Sequence, residues 1–280
     1  MTDLKLNARE QQSLTTRGYT LETRSISSGS YANVYKAKTA NGESRAVKII
    51  DCTKVSNDYR ERFLPRELYA LKKLNHRFIT KVFETFLVSN RMFTVMELAT
   101  GGDLLDILKE KDGPLDDTNS RLLFRQIAEA LKYIHSEGIA HRDLKCENVL
   151  IFDNKKVAKL TDFGFARTVY LHTTGKRLLT ETQCGTIGYV SPELLGGLPF
   201  DSMASDCWSL GVILYVMSTT KLPFNTRHQR RRQLTKRYKL PERLHNDCKD
   251  IIKKLLEPTV SERLTMNQVL QHPFISQVIV

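Results

Sequence analysis

His141-Arg142-Asp143-Leu144-Lys145-Cys146-Glu147-Asn148 is followed, nineteen residues after Asp143, by Asp162-Phe163-Gly164. With five fixed positions at roughly 5% usage each, the first string arises by chance in about one chain in ten thousand of this length. A lone Asp in a loop is ordinarily a turn or cap residue. The joint spacing, with a cation and an amide beside two acids, is what argues for chemistry. Between the two strings, residues 148–152 and 158–160 read as short strands. Upstream, Leu122, Leu123, Ile127, Leu131 and Ile134 mark a long helix ending near Gly138. Downstream, residues 205–219 are apolar nearly all round, which predicts a buried helix. Residues 247–256 and 266–271 read as surface helices.

The first third of the chain has a different texture. Residues 19–26 alternate loosely, 34–38 form a short run after a Gly-Ser turn, and 46–50 form an apolar run after Asn41-Gly42. Over 58–75 the period becomes helical, with Leu64, Leu68 and Leu71 on one stripe and Pro65 near the start. Residues 81–97 return to strand, broken by Ser89-Asn90. The expectation is α+β: a small β-rich lobe to about residue 97 and a larger helical lobe over about 98–274. Residues 1–18 are expected to be a short extension and 275–280 a tail. The cleft between two lobes is the default place for a site.

Composition is that of an ordinary soluble domain. The 280 residues are 41% hydrophobic and 26% charged, which excludes a disordered chain, a collagen-like fibre and a disulfide scaffold. The longest apolar run, residues 207–217, is well short of the about 20 residues that a membrane span needs. The polar N-terminus shows no signal-peptide centre, and Met1-Thr2 lacks the Gly of a myristoylation site. A cytoplasmic location is expected, with the nucleus open. Cys52, Cys146, Cys184, Cys207 and Cys248 form no CxxC pair and read as free thiols. Lys and Arg exceed Asp and Glu by 43 to 31, a net charge of +12. Much of the excess falls in residues 227–239: Arg227, Arg230, Arg231, Arg232, Lys236, Arg237 and Lys239. Such a run is most often a solvated face, and it also suits an acidic partner. Only Tyr238 falls within it, so stacking on nucleic acid is not expected.

The two strings resemble the signatures of eukaryotic protein kinases, and the family's other motifs occur in its order over residues 19–274. The resemblance implies a bilobal kinase fold and in-line transfer of the ATP γ-phosphoryl group to protein hydroxyls, with ATP and Mg2+ as cofactors. Asp143 then orients the acceptor hydroxyl, Lys145 stabilises the moving phosphoryl group, and Asn148 and Asp162 bind the metal. Ala46-Val47-Lys48-Ile49 matches the strand whose Lys meets the ATP phosphates. Glu67 lies on the apolar stripe of the next helix, where a buried carboxylate needs a partner such as Lys48. The backbone at Glu97 and Ala99 would meet adenine, with Met96 guarding the deeper pocket and Ile26, Val34 and Ala46 around the base.

The phosphate loop departs from the family. G-x-G-x-x-G-x-V aligns with residues 27–34, where only Gly29 and Val34 remain and Ser27 and Ala32 bring Cβ atoms. That erosion keeps an alternative open, a pseudokinase acting as a scaffold or allosteric binding protein. The complete set Lys48, Glu67, Asp143, Lys145, Asn148 and Asp162 argues for an enzyme.

Residues 162–193 match the activation segment, closed by Ser191-Pro192-Glu193, with Glu193 expected to pair with Arg263. Thr182 is the first candidate for phosphorylation by an upstream activating kinase, and Thr180 the second. Lys145 and Thr186 match serine/threonine kinases. Asp103 and Glu147 occupy places where basophilic kinases hold an Arg of the protein substrate. Phe63-Leu64-Pro65-Arg66-Glu67, Asp162-Phe163-Gly164-Phe165-Ala166 and Leu198-Pro199-Phe200-Asp201 resemble the testis-specific serine kinase group of the calmodulin-dependent and AMP-activated branch. That kinship implies sperm development.

Overall fold

A computed structural model describes residues 4–29, 32–224 and 228–276. The chain divides into two compact units: Met1–Asn75 with Thr80–Ala99, and His76–Ile79 with Thr100–Val280. Each is described in turn.

The first unit opens with α1 (Ala8–Thr16), then β1 (Tyr19–Ser28), β2 (Ala32–Thr39) and β3 (Ser44–Asp51). Helix α2 (Leu64–Lys73) follows, and then β4 (Val82–Val88) and β5 (Arg91–Glu97). The strands form an antiparallel sheet in the order β1-β2-β3-β5-β4. Register fixes its two faces, because directly opposed residues point the same way. Tyr35, Val47 and Val95 are paired in a row and buried with Phe93 and Phe86 on one face. Val34, Lys48 and Thr94 form a row on the other face, as do Lys36, Ala46 and Met96.

Within the expected extension, the described residues 4–18 pack against the rest of the first unit. Asn7 and Glu10 form a reciprocal capping box that starts α1, and Leu14 of α1 is buried in the core of the first face. Buried Glu10 accepts from Arg91 Nη1 at 3.2 Å, which ties the helix to β5. Helix α2 is preceded by a wide π turn over Tyr59–Phe63, in which the Leu64 N–H reaches back to Tyr59 O. Pro65 explains it: proline has no N–H for the regular bond, so the turn before it opens.

The second unit contains α3 (Leu104–Glu110), α4 (Asp117–Ser136), β6 (Ile139–Ala140), β7 (Val149–Phe152) and β8 (Val157–Leu160). Short strands β9 (Arg167–Thr168), β10 (Tyr170–Leu171) and β11 (Lys176–Arg177) lead to α5 (Ser202–Thr219). The chain then forms α6 (Gln229–Leu234), α7 (Asn246–Leu255), α8 (Met266–Gln271) and α9 (Pro273–Ser276). Helix α5 is buried on all sides, as its uniform apolarity predicts, with Trp208, Leu210, Ile213 and Leu214 fully enclosed. Ile275 is 2% exposed within α9, so the tail expected at 275–280 begins later than that, and residues 277–280 lie outside the described residues. Residues 76–79 also leave the small lobe: Leu160 N–H donates to Phe78 O (2.9 Å) in the second unit. Among the described residues no helix is long and apolar enough to cross a membrane.

Candidate active site

In the first unit, Lys48 Nζ donates to Glu67 Oε1 at 2.8 Å, and Tyr59 Oη donates to Glu67 Oε2 at 3.2 Å. Glu67 is only 3% exposed. A buried carboxylate without a counter-charge is strongly unfavourable, so strand β3 and helix α2 are chemically matched here. Val34, Ala46 and Met96 share the sheet face of Lys48, whereas Ile26 is 45% exposed beside a β1 irregularity. The Glu97 N–H donates to Lys81 O (3.0 Å), so of its two backbone groups that N–H is already engaged. Ala99 closes the unit, half-buried.

The eroded phosphate loop looks less damaged in space than in sequence. Ser27, just past the β1 irregularity, pairs with Val34 in the β1–β2 ladder, and Ala32 pairs with Ile50 in the β2–β3 ladder, so both are strand positions. Gly29 donates its N–H to Ala32 O at 2.8 Å, and among the described residues a Cβ there would meet only that oxygen, at 3.5 Å. Ser30 and Tyr31, at the tip, lie outside the described residues.

In the second unit the quoted string forms a closed network. Asp143 Oδ2 accepts from Lys145 Nζ (2.8 Å) and Oδ1 from Thr186 Oγ1 (2.8 Å), while Lys145 Nζ also donates to Thr186 Oγ1 (2.9 Å). Asn148 Nδ2 donates to Asp143 O (2.8 Å). That bond turns the Asn148 amide oxygen away, and this oxygen accepts no hydrogen bond among the described residues. Asp162 holds φ at +61° and accepts from the Gly164 N–H (3.4 Å). Phe163 is 1% exposed against the His141 ring, with centroids 5.1 Å apart. Cys146 is inert packing, because burial pushes its thiol up to about 12.

Sequence reasoning missed the residue that holds this loop in place. Asp206 on α5 is 1% exposed, and its two oxygens accept the N–H groups of His141 and Arg142, each at 2.8 Å. The His135 ring nitrogen lies 2.9 Å from Asp206 Oδ2. Arg142 sits at φ +71°, a conformation costing a non-glycine residue about 1–3 kcal/mol unless its surroundings hold it. Asp206 supplies that hold. The available signal was an acid inside a helix whose pattern is otherwise buried throughout, which demands buried donors opposite it.

Glu193 and Arg263 form the expected pair, bidentate at 2.6 and 2.9 Å, with Arg263 4% exposed. Arg263 also donates to Ala204 O (2.8 Å) and Glu257 O (2.8 Å), so it ties the end of the activation segment to the helices below. Arg142 Nη2 donates to Thr182 O (2.8 Å), and Thr182 is half-buried. Thr180, the second phosphorylation candidate, is enclosed in this conformation. It is fully buried, its Oγ1 accepts from Ser202 (2.7 Å), and its backbone pairs with Phe200.

Asp103 caps α3 through Oδ1, which accepts the Asp106 N–H at 2.9 Å. Burial raises its carboxyl above the ordinary range, and the charges of Asp106 and Glu147 raise it further. The two sequence-predicted carboxylates therefore feel one another. Glu147 itself is exposed.

The protein kinase domain family matches residues 21–275. The chain belongs to that family. It is 40% identical over 263 residues, 91% of this chain and 71% of the relative, to Testis-specific serine/threonine-protein kinase 1 of Mus musculus. Against Testis-specific serine/threonine-protein kinase 3 of Homo sapiens it is 39% identical over 269 residues, covering 94% of this chain and 98% of the relative. Testis-specific serine/threonine-protein kinase 4 of Homo sapiens is 33% identical over 268 residues, 90% and 81% of the two chains. Protein kinases in general use ATP and Mg2+ to phosphorylate proteins.

Proposed function

We propose that this kinase phosphorylates Ser and Thr in Arg-containing protein segments, using Asp143, Lys145 and Lys48 as its catalytic charges and Asn148 with Asp162 as its metal ligands. It is a serine/threonine protein kinase by family and by relatives. The observation that carries the proposal is the network Asp143–Lys145–Thr186–Asn148, held from behind by Asp206. A carboxylate has about four acceptor sites on its two oxygens. Asp143 therefore keeps capacity to accept an acceptor hydroxyl's hydrogen bond while Lys145 and Thr186 hold it still. As the hydroxyl oxygen bonds to the γ-phosphorus, the bond to the departing diphosphate breaks and the hydroxyl proton passes toward Asp143. Lys145, held beside Asp143 at 2.8 Å, is the cation assigned to the negative charge that develops on the phosphoryl oxygens.

The donor set suits magnesium: the Asn148 amide oxygen and the Asp162 carboxylate are hard oxygens, few in number, leaving the remaining positions to phosphate and water. When bound, the ion neutralises phosphate charge. Among the described residues no group of three His, Cys, Asp or Glu stands together as a self-sufficient cage. ATP contacts are assigned to Lys48 and to Ile26, Gly29, Val34, Ala46, Glu97 and Ala99. The scaffold alternative draws no support, because every charged residue it would dispense with is present and partnered.

Arg preference follows from Asp103 and Glu147. Burial and the neighbouring charges of Asp106 and Glu147 make the charged form of Asp103 unfavourable, and a guanidinium brought to it relieves that. Control by phosphorylation of Thr182 through an upstream kinase is part of the same proposal, since Arg142 already reaches its carbonyl and the positive charges of Arg142 and Arg167 are felt at nearby Cys184. The relatives' names point to testis and hence to sperm development, and a cytoplasmic or nuclear setting completes the reading.

The test is kcat/KM on a Ser peptide in which each upstream Arg is replaced in turn by Ala. Wild type is expected to lose about tenfold or more at one position, and Asp103→Asn with Glu147→Gln to lose that discrimination while α3 keeps its cap. Equal values for Arg and Ala peptides would overturn the Arg-directed reading.

A further inference from the structure

The basic stretch has a defined seat. Gln229 Nε2 donates to Ile187 O (2.6 Å), Gln233 Nε2 to Val190 O (2.8 Å) and Arg230 Nε to Pro192 O (3.2 Å). Gln229 and Gln233 are buried and Arg230 stays on the segment, while Arg231 and Arg232 of α6 are exposed. Residues 187–192 are thereby bolted to α6. The residue just before them, Thr186, donates to Asp143. Charge on α6 is thus fixed to the same piece of chain that borders the catalytic carboxylate.

That charge is not neutralised internally. Lys236 pairs with Glu257. Arg231, Arg232, Arg237 and Lys239 are exposed and have no acidic partner among the described residues. Arg227 lies outside the described residues. Tyr238 is not available to stack on bases, because its ring is engaged with Tyr215 (5.9 Å) and Phe224 (5.4 Å). An acidic peptide fits this surface better than nucleic acid.

We propose that the arginines of α6 select acidic residues on the C-terminal side of the acceptor Ser or Thr, making the preferred substrate basic ahead of the acceptor and acidic behind it. The inference rests on the reading of Asp103 and Glu147 above, which assigns the upstream flank and leaves residues 187–192 to the downstream one. An extended chain advances about 3.3–3.6 Å per residue, so a few residues past the acceptor suffice to travel along this segment toward α6. Exposed ion pairs are individually weak, so two or three of them together give about a three- to tenfold preference, diminished by salt.

The experiment compares kcat/KM for peptides sharing one Arg-containing upstream half and carrying Ala, Asp/Glu or Lys at the positions after the acceptor. A further peptide carries the acids upstream instead. Wild type is expected to favour the acidic downstream half about three- to tenfold over Ala and to lose most of that gain at about 0.5 M salt. Arg231→Gln with Arg232→Gln, both exposed and outside the catalytic network, is expected to abolish the gain and leave the Ala peptide unchanged. Equal rates for the Ala and acidic peptides in wild type would overturn the proposal. So would a gain that survives in the variant, or an equal gain from upstream acids. Peptide binding by fluorescence anisotropy to the Asp143→Asn protein separates the two readings. If no peptide is phosphorylated, the catalytic reading fails, and preferential binding of the acidic peptide still decides this one.

Discussion

Replacing Asp206 by Ala tests whether the catalytic loop is held from α5. Two buried backbone N–H groups, those of His141 and Arg142, lose their acceptor. Each such loss costs about 1–3 kcal/mol, or about 2–6 kcal/mol for the two. The strain at Arg142 is then no longer opposed, so the loop relaxes, which limits the stability loss but displaces Asp143. We expect a destabilisation of about 4 kcal/mol, near the upper range for single substitutions, and a melting temperature lower by about 8–16 °C. Displacement of Asp143 by about 1 Å lowers kcat by about a hundredfold. Asp206→Asn keeps one acceptor oxygen and should lose about half as much stability. Urea unfolding followed by circular dichroism gives the first quantity, and peptide phosphorylation below the variant's melting temperature gives the second. An unfolding free energy within about 1 kcal/mol of wild type, with unchanged kcat, would refute the reasoning.

Arg263→Lys should be nearly as harmful as Arg263→Ala, because an ammonium cannot reproduce the two-pronged grip on Glu193 together with the carbonyls of Ala204 and Glu257. Denaturant titration should show about 3–5 kcal/mol lost on removal of this buried partner. Asp116, which caps α4 by accepting the Asn119 N–H at 2.9 Å, is held down to about 2, chiefly by that bond. Its folded pKa lies below the unfolded value, so its stabilisation is complete above about pH 4 and fades as pH falls toward 2. Asp116→Ala should therefore cost about 1 kcal/mol between pH 5 and 7, with a gap to wild type that closes below about pH 4. Thr182→Ala should abolish the activation produced by an upstream kinase, with phosphate mapped to Thr182 by mass spectrometry; full activation of the variant would shift control elsewhere.

The parts of this site that the sequence displays are those in which charge is forced into an apolar context at a fixed spacing. Glu67 on the stripe of Leu64 and Leu71 demands a cation, and Lys48 meets it. Asp143, Lys145 and Asn148 lie within one short string, so their proximity is local. Glu193 and Arg263 are far apart in the chain, and only the family resemblance anticipates that they meet. Asp206 escapes notice because its donors are backbone N–H groups, which carry no side-chain signature. Helix α1 escapes because its short polar stretch has one buried apolar residue, Leu14, even though Asn7 and Glu10 spell a capping box. The π turn before α2 depends on how Pro65 redirects bonds that residue types alone do not show. The loss of glycines at residues 27 and 32 looks more damaging in sequence, where ladder pairing is invisible, than in the sheet itself.

The central claim is that Asp143, in its network with Lys145, Thr186 and Asn148, carries phosphoryl transfer. Its most direct test is the initial rate of transfer from Mg-ATP to an Arg-containing Ser peptide by wild type and Asp143→Asn, with ATP binding followed in parallel. The account predicts transfer by wild type and a loss of about a hundred- to ten-thousandfold in the variant, with ATP binding retained by both. Equal rates in the two proteins would contradict it, as would no transfer by wild type that binds ATP after treatment with an activating kinase.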